Sequence, residues 1–336
     1  MGSCVIREGD NAILEFNNSF KTFVSIKRGS KVKIGKALCS LEPLIGQYYG
    51  IQFALAADGQ TLEFKRPKTE RDDGAPKDEW DANGTMDKNN SELLDRGDAH
   101  QNLKPEDIEA MRAAGMGGEA IVEALLANSE TYESKTHFAQ AKYRKRKAEK
   151  YMAQATLVRP TARALADAYF ARSPQKIQNL RADSLALLLS LANIGAHAGV
   201  LVVETCSGLV TGAVAERLGG SGLVVSGFTG LKPPSLDIVR QFNFPASSKA
   251  GMPLALLRKV LPLLAPSGAF AIFANCLQPL AECMLALQVS KEAVALQLQE
   301  SWWREHQVLP GRTHPEMMVS ATGGYILTGY KVIRQA

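Results

Sequence analysis

Across residues 1–70, short runs of apolar or alternating apolar and polar positions recur: Asn11 to Phe16, Phe20 to Lys27, Lys31 to Ile34, Ile51 to Ala56 and Thr61 to Phe64. Gly9, Gly29, Gly35, Gly46, Gly50 and Gly59 separate them. Such runs, set between turn residues, predict short strands, and their spacing predicts a small β-barrel over 1–69. From Glu70 to Asp98 the pattern is lost. Ten acidic and four basic residues stand there among Gly, Asn and Asp, so an unstructured acidic linker is expected over 70–101.

The rhythm then becomes helical. Pro105, with Glu106 and Asp107 beside it, opens a helix carrying Ile108 and Met111, and Gly115 to Gly118 ends it. Ile121, Val122, Leu125 and Leu126 mark a second helix, and Thr136 to Tyr151 a third, giving a helical connector over 102–158.

Over 159–336 helical and strand patterns alternate. Arg159 to Phe170 and Leu185 to Leu191 read as amphipathic helices leading into Gly199 to Gly230. There Val200 to Val203 is a buried strand, Glu204 to Gly208 a turn, Val210 to Leu218 a helix and Gly222 to Phe228 a second strand. Beyond it come a helix at Leu254 to Leu264, a strand at Gly268 to Phe273, a helix at Leu280 to Leu287, a strand around Val294 to Leu298 and a final strand at Tyr325 to Ile333. Alternation of this kind predicts an α/β, Rossmann-like fold with a mostly parallel sheet. Only 39 residues, Thr229 to Ser267, separate the second strand from the one starting at Gly268. A βαβ unit alone takes about 30 residues or more, so a strand beside the first is expected to be missing.

Composition narrows the class. A chain of 336 residues, 46% apolar, suffices for about two domains with large cores. The uncharged stretches Ser184 to Val203 and Val260 to Ala281 are broken by Asn193, Gly195 and Gly199, and by Pro262, Pro266, Gly268 and Pro279, which argues against membrane spans. Arg7, Glu8 and Asp10 stand where a secretory signal would need an apolar run. Cys4, Cys39, Cys206, Cys276 and Cys283 are odd in number and lack paired metal spacing, the pattern of free thiols in a reducing compartment.

Net charge is only +5, so any polyanion site must be a local cluster. The densest cluster is Lys142, Arg144, Lys145, Arg146, Lys147 and Lys150, six positive charges in nine residues with Glu149 among them. Phosphate contact, a solvated helix face and a nuclear localisation signal all fit that density, and the flanking Tyr143 and Tyr151 suit either stacking or anchoring. Lys27, Arg28, Lys31, Lys33 and Lys36 form a weaker basic hairpin, equally read as a lysine-blunted strand face.

Catalytic chemistry finds little support. Turns that bind S-adenosylmethionine follow an acidic residue with Gly-x-Gly-x-Gly, because the cofactor packs on bare backbone, and a second carboxylate ends the next strand. Here only Gly208 remains; Cys206 and Val210 fill the other two places, and the next strand ends in Gly227 and Phe228. Glu204 then reads as a cap for the turn's N–H groups. Asn243-Phe244-Pro245-Ala246 lacks the first proline and final aromatic of an amine-methylating turn, and His314 stands alone in a polar loop. No nucleophile, base and orienting acid can be assembled.

Several segments together resemble one family, the non-catalytic subunit of the eukaryotic tRNA (adenine-58-N1)-methyltransferase. They are Ile45-Gly46 with Tyr49-Gly50, Asn128-Ser129 with Thr136 and Phe138, the basic run ending at Tyr151, and Glu204 to Val210. Glu216 to Gly219, Gln307 to Pro310 with Arg312 to Pro315, and Gly323 to Tyr325 complete them. The resemblance implies a Rossmann-like methyltransferase fold with a degenerate cofactor loop, no cofactor of its own, and S-adenosylmethionine on a catalytic adenine-N1 methyltransferase partner. It further implies a heterotetramer of two copies each, tRNA as ligand, and a nuclear location. As tRNA-facing residues it implies Lys142 to Lys150, Lys176, Arg181, Arg304 and Arg312. An active S-adenosylmethionine-dependent RNA methyltransferase, or a translation-associated interaction protein, are the competing expectations.

Overall fold

In the computed structural model the described residues are 4–16, 20–34, 37–55, 62–65, 102–114, 116–133, 137–151, 154–227, 235–244, 261–308, 313–319 and 321–332. The acidic linker, Phe228, Arg312 and most of the helix expected at Leu254 to Leu264 lie outside them.

The N-terminal runs form strands β1 (Asn11–Phe16), β2 (Phe20–Ser25), β3 (Lys31–Ile34), β4 (Ala37–Ser40), β5 (Gln52–Leu55) and β6 (Leu62–Lys65). A further strand, β7 (Gln154–Val158), comes from the segment expected to be helical connector and enters between β1 and β5. The result is a five-stranded antiparallel sheet in the order β2-β1-β7-β5-β6, with β3 and β4 as a separate hairpin. This corrects the expected barrel: among the described residues the sheet is open, with β2 and β6 as its edges. Closure is unnecessary because both faces are already covered. Ala12 and Leu14 point into a core with Ile26, Leu41, Leu44, Phe53 and Leu157, while Ile13, one position out of phase, joins Leu165 and Tyr169 in the main core.

The connector contains α1 (Pro105–Ala113), α2 (Gly118–Ala127) and α3 (His137–Tyr151). Ile108, Ile121 and Leu125 bind the first two together, and Tyr151 packs against them. Next come α4 (Ala162–Arg172), whose N-cap Thr161 side chain accepts from the Ala164 N–H, and α5 (Ala182–Leu191). Phe23 of β2 meets Tyr169 of α4 at a ring separation of 4.5 Å, so the N-terminal sheet and the C-terminal half share one core.

The central unit is β8 (Gly199–Val203), α6 (Leu209–Leu218) and β9 (Leu223–Gly227), with β8 and β9 parallel. After it lie β10 (Ala269–Ala274), α7 (Leu277–Ser290), β11 (Ala293–Trp302), the two-residue strands β12 (His306–Gln307) and β13 (His314–Pro315), and β14 (Thr322–Lys331). The expectation of a mostly parallel sheet is corrected here, because β10, β14 and β11 form an antiparallel three-stranded sheet in that order. β11 reaches β14 through a hairpin, which forces antiparallel pairing, whereas β10 reaches β11 through α7 and the two run parallel with β14 between them. Between β9 and β10, Val239–Phe242 forms a 3-10 turn. Among the described residues β8 pairs with β9 alone and β10 with β14 alone, so no strand joins the two sheets. No helix among them is long and apolar enough to cross a membrane.

Candidate functional site

The turn between β8 and α6 is where a methyltransferase fold would receive its cofactor. Here it is closed by the chain itself. Glu204, 9% exposed, sends its carboxylate under the start of α6. One oxygen accepts from the backbone N–H of Gly208 (3.2 Å) and Val210 (3.3 Å), the other from the Thr211 N–H (2.7 Å) and the Thr211 hydroxyl. The unpaired N–H groups and positive dipole end of the helix, which would otherwise attract an anion, are saturated internally. Glu204 is thus the cap that the sequence suggested.

Cys206 is buried in the main core, and burial first, then the Glu204 charge, push its thiol pKa up to about 12. Gly208 adopts φ 94°, open to glycine but strained for side chains. A Cβ there would lie 2.8 Å from Val239 Cγ2 and 3.1 Å from the Leu236 Cα, so the chain segment following β9 rests directly on the turn. Sequence reasoning missed this segment; Leu236, Val239 and Phe242, spaced by three, are the signal that could have found it. The residues present therefore do not fit S-adenosylmethionine on this chain.

The basic residues divide into three places. Lys142, Arg144 and Arg146 are exposed on α3, which also carries Lys145 and Lys150. Lys142 and Arg146 are four apart and share a face. Lys147 Nζ lies 5.1 Å from the Tyr143 ring centroid, and Tyr143 in turn contacts the Tyr132 ring at 5.8 Å. Both tyrosines of the run are anchors: Tyr143 holds α3 to the residues after α2, and Tyr151 enters the α1–α2 cluster.

Lys176 is exposed in a 3-10 turn (Pro174–Ile177), 5.4 Å from the Tyr169 ring, and its carbonyl accepts from the Ser207 hydroxyl at the closed turn. Burial first, with nearby Asp237 second, raises the Tyr169 phenol, so that ring stays neutral beneath the ammonium.

The Arg181 guanidinium lies 5.7 Å from the Trp303 ring centroid, and Arg304 is the next residue along the chain. Arg181 is only 5% exposed; it pairs with Asp183 and donates through Nη1 to the carbonyls of Ala321 (3.0 Å) and Thr322 (3.1 Å). Arg304 donates to the Glu316 carbonyl across the β12–β13 hairpin, where Gln307 and His314 side chains also meet at 3.1 Å. His314 is therefore a hairpin residue rather than a loop residue. Glu216 and Arg217 are structural as well. The Glu216 carboxylate accepts from the Ala162 N–H at the start of α4, and Arg217 Nε donates to the Ile194 carbonyl.

The Gcd10p family profile matches residues 5–266. The chain is 32% identical over 423 aligned residues, 99% of this chain and 80% of the relative, to the tRNA (adenine(58)-N(1))-methyltransferase non-catalytic subunit of Dictyostelium discoideum. It is 28% identical to that subunit from Mus musculus, over 99% of this chain and 90% of the relative. The Dictyostelium alignment is longer than the 336 residues of this chain, so that relative carries segments with no counterpart here. Among solved structures the chain resembles an S-adenosylmethionine-dependent O-methyltransferase from Thermotoga maritima (TM-score 0.53, 11% identity, 99% of this chain and 97% of that one). It also resembles the tRNA (m1A58) methyltransferase TrmI from Aquifex aeolicus (TM-score 0.52, 12% identity, 98% of this chain and 100% of that one). The fold is thus that of the Rossmann-like methyltransferases, and with a profile match over most of its length this chain belongs to the Gcd10p family.

Proposed function

We propose that this chain is the non-catalytic subunit of a tRNA (adenine-58-N1)-methyltransferase, holding tRNA for a catalytic partner that carries S-adenosylmethionine. The observation that carries this reading is the closed turn inside a methyltransferase fold. The Cys206 and Val210 side chains and the segment at Leu236 to Val239 stand where a cofactor would pack on bare backbone, within a chain whose fold is still like that of the methyltransferases. A retained fold without its cofactor site suits a chain whose role is architecture and substrate holding.

Lys142, Arg144, Lys145, Arg146, Lys147 and Lys150 neutralise tRNA phosphates along α3, releasing counterions. Lys176 and Arg304 add contacts elsewhere on the surface, as would Arg312, whereas Arg181 acts by holding the sheet that presents Arg304. The partner shares the methyltransferase fold, two copies of each chain form the complex, and the complex works in the nucleus. The side chains of Trp302, Trp303, Val308, Met317, Met318 and Val319 are exposed together around the β12–β13 hairpin, with Met318 98% exposed. Aromatic and methionine side chains in solvent at such density suit a subunit interface with that partner.

The test is reconstitution. The chain and its catalytic partner, purified separately and together, are assayed for N1-methylation of adenosine 58 in tRNA, with calorimetric titration of S-adenosylmethionine into each. Methylation only by the mixture, with cofactor heat only from samples containing the partner, is expected. Methylation by this chain alone would overturn the reading.

A further inference from the structure

The turn between β8 and α6 is not merely short of glycines; a later segment of the chain packs directly on it. Ile238 is fully buried, and its N–H donates to the Ser207 carbonyl at 3.1 Å, in the middle of the turn. Leu236 and Val239 lie against Gly208, and the Phe242 ring covers Gly212 so closely that a Cβ on that glycine would overlap it. Phe244 stacks on Phe242 with ring centroids 5.2 Å apart.

The far end of this segment is tied to the N-terminal sheet. Asn243 Oδ1 accepts from the Asn11 N–H at 2.7 Å and Asn243 Nδ2 donates to the Asn11 carbonyl at 2.7 Å, so one side chain closes both backbone groups at the start of β1. Asn11 Nδ2 donates in return to the Arg240 carbonyl at 2.8 Å. Asn243 sits at φ 55°, a left-handed conformation that asparagine tolerates better than most residues.

We propose that Ser235–Phe244 is an internal plug that holds the Glu204–Thr211 turn shut and is latched to the N-terminal sheet by Asn243 on Asn11. Restoring glycine at Cys206 and Val210 does not reopen the site while the plug is in place. Releasing the latch loosens the turn and lets solvent reach Cys206, which lies in the same core cluster as Ile238 and Phe242.

Closure of the turn does not depend on the tRNA reading, and its test measures no methylation. The full-length chain is treated with iodoacetamide, and alkylation of each cysteine is followed by peptide mass spectrometry in the wild type, Asn243→Gly and Asn11→Ala. Glycine keeps the left-handed backbone and removes only the side-chain bonds. Cys206 is expected to react about tenfold faster in Asn243→Gly and less than that in Asn11→Ala, in line with the hydrogen bonds removed. Cys39, fully buried in the N-terminal core, is expected to keep its rate. An unchanged Cys206 rate, or equal acceleration at Cys39 as in global loosening, would overturn the latch. In parallel, the double variant Cys206→Gly, Val210→Gly is titrated with S-adenosylmethionine. No binding is expected, and binding from the glycines alone would overturn the plug.

Discussion

Arg181 and Asp183 face each other fork to fork, with Nε 2.7 Å from Oδ1 and Nη2 2.7 Å from Oδ2. The guanidinium is buried, and its remaining arm reaches the carbonyls just before and at the start of β14. Beside it, Ser184 donates to the Gly323 carbonyl and meets Ser301 of β11 at 2.6 Å. One short stretch at the start of α5 therefore clamps both long strands of the C-terminal sheet, and an arginine that reads as a surface cation in sequence is its main tie.

Removing either partner of this pair strands the other. Breaking a buried pair costs roughly 3–5 kcal/mol; because Asp183 keeps some solvent contact, Arg181→Met is expected to cost less, about 2–3 kcal/mol. Thermal or urea unfolding of the intact chain measures this. An unchanged midpoint would show that the clamp contributes nothing.

The same pair sets an acid limit. Burial raises the Asp183 pKa, but the hydrogen bonds and charge of Arg181 outweigh it and hold the folded-state value below the ordinary aspartate range. A carboxylate with a depressed folded pKa contributes stability that is present above its unfolded value, about 3.9, and is lost as pH falls through the folded one. Wild-type stability should fall below about pH 4, and Asp183→Asn should flatten part of that fall. Parallel acid curves for the two proteins would contradict the assignment.

Gly212 offers a test of the packing on α6. A methyl group there meets the Phe242 ring, and overpacking of this kind costs typically about 1–3 kcal/mol. Gly212→Ala would normally favour a helix by up to about 1 kcal/mol, so the sign of the change decides between propensity and packing. A lowered unfolding midpoint is expected; a raised one would mean that Phe242 moves aside at little cost.

On α3, replacing Lys142, Arg144 and Arg146 with alanine should weaken tRNA binding by the assembled complex and lower its salt dependence. The slope of log affinity against log salt should fall by about 0.7–0.9 for each phosphate no longer neutralised. These side chains are exposed, so helix stability should change little. Unchanged slopes, with the complex still assembled, would leave the run as a solvated face or localisation signal.

What the sequence made legible was local. The β8–α6–β9 unit, the helix opened by Pro105 and the capping role of Glu204 each depend on neighbours within a few residues, and period or composition exposes them. Strand β7 escaped because Gln154 to Val158 is short and its partners are distant, Ile13 to Phe16 on one side and Gln52 to Ala54 on the other. The burial of Arg181 and the plug escaped for the same reason. Their partners, Ala321 and Thr322 in one case and Asn11 in the other, lie more than a hundred residues away, and no local pattern encodes such a pairing.

The short span between β9 and β10 bears on how well the strands around it are protected. β8 (GVLVV) and β10 (AFAIFA) are apolar throughout, the pattern of strands covered on both faces and paired on both edges. Yet only Val202 of β8 is buried, no residue of β10 is fully buried, and each strand has one partner among the described residues. β14, by contrast, is paired on both sides and buries Gly323, Gly324, Ile326, Leu327, Thr328 and Gly329. Backbone N–H groups on an unpaired edge remain open to water, so their exchange needs no unfolding of the strand. Hydrogen exchange of the full chain should therefore show the central amides of β14 protected well beyond the outward amides of β8 and β10, by roughly a hundredfold or more. Full-length relatives with additional internal segments should protect all three strands alike and unfold at higher temperature. Equal protection of β8, β10 and β14 in this chain would mean that the two edges are covered after all, and that the 39 residues from Thr229 to Ser267 suffice to cover them.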